Sequence, residues 1–288
     1  MIELNLTKET IIKIRRIVAL AALCLAISMI AFAGVQVNEN NQIYYEGQAM
    51  YMSINDRIMS ASVDSAAVSP DLYSEMLEGV IRNDTKKRVT ERRKVMPLVE
   101  IPKLNINYKA LRELNEDAAA WLYSPGAGIN YPVMKAKDYS EYMFKLPDGS
   151  INANGSLFFD FHNAADMSSP LTIIYGHAMK SGKMFGNLFN YKNQSFFEQN
   201  PYAYVYTAYG NYRVDLMYGF TVEAGQWRER SFMHKENIDS LVSYASHKTT
   251  FKSPVEYTPG DRLVVLITCS YDFDDAHYAV MGVLRPEY

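Results

Sequence analysis

The chain has 288 residues, of which 48% are hydrophobic and 21% charged, so it is long and apolar enough to bury the core of one good-sized domain. Its formal net charge is −3, with +2 on the first 35 residues and −5 on the remainder, and this balance excludes the basic face that nucleic-acid binding requires. A content of 22 tyrosines and 13% aromatic residues favours strands over helices.

An uncharged apolar segment, Ile17–Val35, follows four basic residues near the N-terminus. Its nineteen residues match the length of about 20 that crosses a bilayer as a helix. The preceding basic residues predict a cytoplasmic N-terminus, with the bulk of the chain outside the cell. The alternative is a signal peptide cleaved before Gly34, because Ala31 and Ala33 have the spacing of a cleavage site. We favour a stub and retained membrane anchor over residues 1–35.

Residues 36–94 are interpreted as a polar stalk followed by a helix. The segment from 36 to about 68 is rich in Asn and Ser and has no sustained periodicity, which is typical of a loosely ordered spacer. Ser69, Pro70 and Asp71 then supply an N-cap, a first-turn proline and a first-turn acid. This pattern predicts a helix that continues through residue 81.

The part of the chain over residues 95–288 is predicted to hold the folded core. Asn115 and the alanine-rich run after it predict a second helix over Ala118–Tyr123, ending at Pro125. A third helix is predicted within 231–249. The remaining apolar runs predict short strands, at Gly155–Asp160, Leu171–Tyr175, Ala203–Thr207, Tyr212–Phe220, Arg262–Thr268 and Tyr278–Leu284. Many short strands with few helices between them predict an antiparallel sandwich or barrel.

Cys269 is the one cysteine of the exported part, since Cys24 lies inside the apolar segment. Exported proteins usually pair their thiols, so an unpaired one indicates either an inert core residue or a reactive group. Cys269 ends a strongly apolar strand, and His177 occupies the same kind of position after Leu171–Tyr175. A thiol needs a neighbouring base or cation to attack at neutral pH, and imidazole is the usual one.

The residues around these two positions resemble class B sortases. The run Tyr175–Lys180 resembles the histidine segment of that family. Leu266–Cys269 resembles the cysteine motif TLxTC, with Val265 in place of its first threonine. Flanking segments that also resemble the family occur in its order, at Asn115–Asp117, Trp121–Leu122, Ile129–Val133 and Gly155–Asp160. The resemblance covers roughly residues 95–288, as a sortase catalytic domain.

This resemblance implies a mainly β fold: a closed eight-stranded barrel with N-terminal helices and one inserted helix late in the chain. It also implies a cysteine transpeptidase of Gram-positive bacteria that cleaves a C-terminal sorting motif of secreted proteins. Cys269 would hold the acyl group as a thioester before transfer to an amine of a peptidoglycan precursor or a pilin, and His177 would serve as acid and base. The neighbours of the cysteine, Thr268, Ser270 and Tyr271, are expected to bind substrate. Neither a cofactor nor a metal is implied.

One position departs from the family, because His277 stands where an arginine is expected on the strand after the cysteine. Imidazole is shorter and cannot reproduce the paired donors of a guanidinium group. Two alternatives therefore remain. The first is a weakened or inactive sortase-like protein that binds sorting motifs or pilins. The second is a zinc site built from Cys269, His177, His277 and His162, although the sequence has no close ligand pair.

Overall fold

A computed structural model of the protein describes residues 8–59, 102–228, 237–270, 272 and 274–287. The helices are α1 (Lys8–Met59), α2 (Tyr108–Leu114), α3 (Gln194–Gln199), α4 (Ala224–Arg228) and α5 (Ile238–Lys248), with a 3₁₀ helix over Gly186–Lys192. The strands are β1 (Ala118–Ser124), β2 (Ile129–Lys135), β3 (Leu157–Phe159), β4 (Leu171–Tyr175), β5 (Tyr202–Thr207), β6 (Gly210–Glu223), β7 (Leu263–Cys269) and β8 (Ala276–Pro286). The chain forms two compact units, Met1–Gln48 and Ala49–Tyr288.

The strands form a closed barrel in the order β1-β2-β3-β4-β7-β8-β6-β5, in which β5 pairs again with β1. The predicted closed eight-stranded barrel is therefore confirmed. Two neighbouring pairs, β2–β3 and β4–β7, are parallel and the others are antiparallel, so the arrangement is not purely antiparallel. The six predicted strands are all present, β4 with the predicted ends and the other five with shifted ends. Helix α5 lies within the predicted segment 231–249, of which residues 231–236 are outside the described part.

Side chains that alternate along the strands belong to different cores. One core draws residues from all eight strands and fills the barrel, and it includes Val264 and Leu266 of β7. The intervening residues Val265 and Ile267 belong to a second core, which contains the buried side chains of α5. On this part of the sheet, odd-numbered residues of β7 and β8 therefore face outward, towards α5.

Residues 36–59 continue helix α1, so the prediction of a loosely ordered spacer is wrong for this part of the chain. Ile54 and Ile58 are 3% and 0% exposed and pack with α2 and the outer face of β1 and β2. Tyr51 joins the core that fills the barrel. The spacing of these three residues is helical, but polar neighbours on the other faces of the helix conceal it in the sequence. The folded core therefore extends beyond residues 95–288.

Two sequence predictions for the N-terminal region, the helix that begins at Ser69 and the membrane anchor over residues 1–35, fall wholly and partly outside the described residues. The helix predicted from Ser69 through residue 81 lies outside them, as do the side chains of residues 1–21. Within the described parts of the chain, no helix is both long enough and apolar enough to cross a membrane.

Ala118–Ser124 forms strand β1, so the helix predicted at this position is wrong. A short helix, α2, ends just before it, and the Asn115 side chain accepts a hydrogen bond from the Asp117 amide at 2.9 Å, which turns the chain into the strand. Strand β1 pairs on one side with β2 and on the other with β5, and its Trp121 is fully buried. This pairing and burial outweigh a helix preference that amounts to less than about 1 kcal/mol per residue.

Candidate active site

Three neighbouring strands end at the same edge of the barrel and bring the predicted site residues to it. Strand β7 ends at Cys269, which is paired with His277 of β8. Strand β4 runs parallel to β7, in a register that pairs Tyr175 with Ile267. His177 follows Tyr175 by two residues, as Cys269 follows Ile267, so the two lie at the same level along neighbouring strands. The alternation of side chains assigns Cys269 and His277 to the outward-facing set.

Cys269 is exposed and lies directly opposite His277. Its Sγ is 3.9 Å from Nε2 of His277, within reach of a weak hydrogen bond to sulfur. The second ring nitrogen, Nδ1, is 3.4 Å from the carbonyl oxygen of Asp275, which can only accept a proton. This contact favours the proton on Nδ1, so that Nε2 accepts from the thiol when the ring is neutral. When the ring is protonated, Nε2 donates to the thiolate.

His177 is held by a segment between β2 and β3. Its Nε2 lies 2.6 Å from the backbone carbonyl oxygen of Met143, and the ring of Phe144 lies beside it with centroids 5.7 Å apart. Because a carbonyl oxygen has no proton to give, Nε2 must carry the hydrogen, and Nδ1 is the nitrogen that can exchange a proton with a substrate. The Phe185 amide donates to the His177 carbonyl at 2.9 Å, so the backbone of the histidine is also fixed.

The loop that follows Cys269 is fastened by Asp272. Lys192 contacts both carboxylate oxygens of Asp272, at 2.6 and 2.7 Å, and the hydroxyls of Ser270 and Thr221 each donate to it at 3.0 Å. The Lys192 ammonium, helped by the two hydroxyls, lowers the pKa of the Asp272 carboxyl from its ordinary value. The Lys192 ammonium also lies 5.2 Å from the centroid of the Tyr278 ring. This cluster was not predicted from the sequence, where its one signal is an acidic residue three positions after the cysteine.

The neighbours of Cys269 that were expected to bind substrate have buried side chains where they are described. Thr268 is 2% exposed and Ser270 is 7% exposed. The Thr268 side chain follows the alternation into the barrel, and the Ser270 amide donates to the Ala276 carbonyl at 2.7 Å. Tyr271 lies outside the described residues. A role for Thr268 and Ser270 in substrate binding would therefore involve their backbone rather than their side chains.

His162 has a different environment from the other candidate zinc ligands. Its Nδ1 lies 3.0 Å from Oδ1 of Asp160, a carboxylate with no exposed surface, and the Tyr175 hydroxyl donates to Oδ2 of the same carboxylate at 3.2 Å. Among the residues that the structure describes, no group of three or more His, Cys, Asp or Glu side chains is arranged to hold a metal ion.

The chain is similar in sequence and fold to characterised class B enzymes, although no family model matches it. It is 25% identical to sortase B of Staphylococcus aureus over 179 residues, which cover 62% of this chain and 73% of that protein. It is 27% identical to sortase B of Listeria monocytogenes over 177 residues, covering 60% and 72% of the two chains. The structure of Clostridium perfringens sortase B superposes with a TM-score of 0.58 and 27% identity, covering 62% of this chain and 100% of that chain.

Proposed function

Because the chain is a homologue of the class B sortases in sequence and in fold, we propose that it acts as a cysteine transpeptidase with Cys269 as nucleophile and His177 as acid and base. The observation that carries this proposal is the convergence of Cys269, His177 and His277 on one edge of the barrel, at the ends of β4, β7 and β8. Residues that are about 90 positions apart in sequence meet there because β4 and β7 are parallel neighbours.

In the first half-reaction, the Cys269 thiolate attacks the scissile carbonyl of a peptide, and the tetrahedral intermediate collapses to a thioester. The departing amine takes a proton from Nδ1 of His177, since Nε2 is bound to the Met143 carbonyl. In the second half-reaction, an incoming amine attacks the thioester and gives its proton to the same nitrogen. The thiolate is released, and the histidine returns to its first protonation state.

The substrate that suits this chemistry is a C-terminal sorting motif of a secreted protein. The acceptor is an amine, of a peptidoglycan precursor or of a pilin, and water replaces it in a slower hydrolytic reaction. The proton and acyl transfers described above are complete with the side chains of this chain, so the proposal includes no cofactor. Cys269 is exposed, as attack on a polypeptide substrate requires.

A membrane anchor over residues 1–35 belongs to the same proposal. It is supported by the uncharged run Ile17–Val35 and by the basic residues before it. The side chains of residues 17–21, 23 and 24 lie outside the described ones, so the proposal rests on the sequence of this run. Among the described residues of the run, large apolar side chains are 54–72% exposed: Leu25, Ile27, Met29, Ile30, Phe32 and Val35. A membrane would cover these side chains and would keep the catalytic unit outside the cell, where secreted proteins emerge.

Incubation with a library of sorting-motif peptides and mass spectrometry of the intact protein tests the reaction. We expect an acyl adduct on Cys269, release of the C-terminal fragment, and loss of both in Cys269→Ala. His177→Ala should lower the rate of acylation about 10²–10⁴-fold, because the leaving amine lacks its acid. His247→Ala is the matched control, since His247 is an exposed histidine on α5. Peptide cleavage by Cys269→Ala at the parent rate would refute the mechanism.

The second candidate function is binding of sorting motifs or pilins without turnover. It is favoured by the histidine at position 277, since imidazole lacks the paired donors of the arginine found in the family. The two functions separate in one experiment, in which binding is measured by fluorescence anisotropy and acylation by mass spectrometry on the same peptides. Saturable binding by the parent and by Cys269→Ala, without any adduct on the parent, would favour the binding function.

A further inference from the structure

Tyr51 of helix α1 makes a buried hydrogen bond to the segment that holds His177. The side chain is 5% exposed, and its hydroxyl donates to the Gly155 carbonyl oxygen at 2.5 Å. Burial raises the pKa of Tyr51 well above its ordinary value, so the hydroxyl keeps its proton and acts as the donor at neutral pH. Loss of this donor would leave a buried carbonyl oxygen without its partner, which is costlier than loss of an exposed hydrogen bond.

The first connection from Tyr51 to His177 passes through Gly155 and Met143. Gly155 has a positive φ of +57°, and a Cβ built on it would lie 2.3 Å from the Met143 carbonyl oxygen and 3.0 Å from Cδ2 of His177. The next residue, Ser156, donates its amide to the Tyr142 carbonyl at 2.9 Å. The backbone at 155 and 156 is therefore packed against the carbonyl that binds Nε2 of His177, and a displacement of one moves the other.

The second connection passes through Tyr131 and reaches the backbone on the other side of His177. The rings of Tyr51 and Tyr131 meet edge to face, with centroids 5.0 Å apart. The Tyr131 hydroxyl accepts a hydrogen bond from the Met184 amide at 3.4 Å. Met184 forms a β-bridge with Ala178, the residue after His177, and the Phe185 amide donates to the His177 carbonyl. Tyr51 thus contacts the first of these segments directly, at Gly155, and the second through Tyr131.

We propose that Tyr51 is a positioning residue for His177: it holds the Met143 carbonyl in place, so that the imidazole keeps its proton on Nε2 and presents Nδ1 to the substrate. An effect of Tyr51 on the catalytic rate rests on the acid and base role proposed for His177. An effect of Tyr51 on which nitrogen of His177 carries the proton does not depend on that role. Helix α1 therefore contributes to the active site, although it supplies no residue that touches a reacting atom.

Tyr51→Phe is the informative substitution, because it retains the ring and its contact with Tyr131 and removes the hydroxyl. We expect kcat to fall about tenfold, the lower end of the effect that partners of metal-ligating histidines have, with KM unchanged. The population of the Nδ1–H tautomer of His177 should rise, because the Met143 carbonyl no longer lies at the right place to fix the proton on Nε2. Tyr45→Phe is the matched control, since Tyr45 lies on the same helix with 70% of its surface exposed.

The tautomer is measured on the full chain in detergent solution, with ¹⁵N-labelled histidine and long-range ¹⁵N–¹H correlation spectra. The chain has five histidines, and His177→Gln identifies the signals of His177. The parent and Tyr45→Phe should show the Nε2–H tautomer, and Tyr51→Phe a mixture. If Tyr51→Phe does not fold, Tyr131→Phe replaces it, since this substitution removes only the acceptor for the Met184 amide and should produce the same changes to a smaller extent.

The inference is overturned if the parent carries its proton on Nδ1, or if the substitution changes neither the tautomer nor kcat. A fall in unfolding temperature with the tautomer and the ratio of kcat to KM unchanged also overturns it, because that result describes a residue that is only structural. If neither the parent nor any variant acylates a sorting peptide, the proposed function fails, and the ¹⁵N spectra still decide the role of Tyr51.

Discussion

The pair formed by Cys269 and His277 allows a quantitative prediction for His277→Ala. The Sγ–Nε2 separation is 3.9 Å, and a thiolate and an imidazolium at about this distance attract each other by about 1 kcal/mol when water screens them fully. The value for full screening by water is the appropriate one, because Cys269 is exposed to solvent. Removal of the imidazole should therefore lower the thiolate population, and with it the rate of alkylation, about fivefold under acidic conditions that protonate histidine.

The assay is alkylation by iodoacetamide between about pH 5.5 and pH 8.5, a range that spans the usual titration of histidine. Peptide mass spectrometry measures the modification of Cys269 separately from that of Cys24. We expect the difference between the parent and His277→Ala to be greatest at the acidic end, and to narrow as the imidazole loses its charge. His277→Arg should alkylate faster than the parent at the basic end, because guanidinium remains charged there.

The same three proteins should differ in the rate of thioester formation with a sorting peptide: His277→Arg should be fastest, the parent intermediate and His277→Ala slowest. One well-placed donor to an oxyanion contributes about 10²–10³ in rate in other enzymes, and an imidazole supplies one such donor. His247→Ala controls for the loss of an exposed histidine elsewhere. Equal alkylation and equal acylation by the parent and His277→Ala at every pH would refute the assignment of His277 to the site.

Three further predictions follow from the packing. A chain that begins at Ser69 lacks Tyr51, Ile54 and Ile58, the buried side chains of α1, and its free energy of unfolding should be lower by roughly 1.5–3 kcal/mol for each of them. Urea unfolding of this chain and of a chain that begins at Ala49 measures the difference. Lys192→Met should lower the free energy of unfolding by about 0.2–1 kcal/mol, a small amount because the ion pair with Asp272 is partly exposed. Because the pKa of Asp272 is lowered in the folded protein, the stability difference between the parent and Lys192→Met should be complete above about pH 4 and should disappear in acid. Thr268→Val should retain full turnover and an equal or higher urea midpoint, since the Thr268 hydroxyl is buried without a hydrogen-bond partner among the described residues.

Six of the eight strands, β3 to β8, could be predicted from the sequence because their apolar runs are short and bounded by turn residues. Strand β7 is the clearest example, with six consecutive buried residues before the exposed Cys269. Strand β1 could not be predicted, because its three alanines favour a helix when the chain is considered alone. Only pairing with β2 and β5, which come later in the sequence, makes the extended conformation the more stable one.

The candidate site was only partly predictable for a related reason. Cys269 and His177 could be proposed as site residues because they are chemically distinctive and lie at the ends of apolar strands. Met143 acts through its backbone carbonyl, which every residue possesses, so no side-chain pattern marks it. Tyr51 is one of 22 tyrosines, and its value depends on a contact with Gly155, more than 100 positions away. Residues that orient a catalytic group are found by distance in space rather than by type.

Under the proposed mechanism, the hydrogen bonds around Cys269 leave His277 as the side chain that an oxyanion could reach most directly. In a cysteine transpeptidase the developing oxyanion needs a donor, and backbone amides next to the nucleophile often provide one. The amide of Ser270 donates instead to the Ala276 carbonyl at 2.7 Å, directly beyond Cys269–His277, the last pair of the ladder between β7 and β8. A substrate could use that amide only if the ladder opened beyond Cys269. The imidazole of His277, which lies opposite the cysteine, needs no such opening when it is protonated and donates through Nε2. Under the proposed mechanism, a comparison of the parent with His277→Arg therefore measures how much oxyanion stabilisation the chain has without the family arginine.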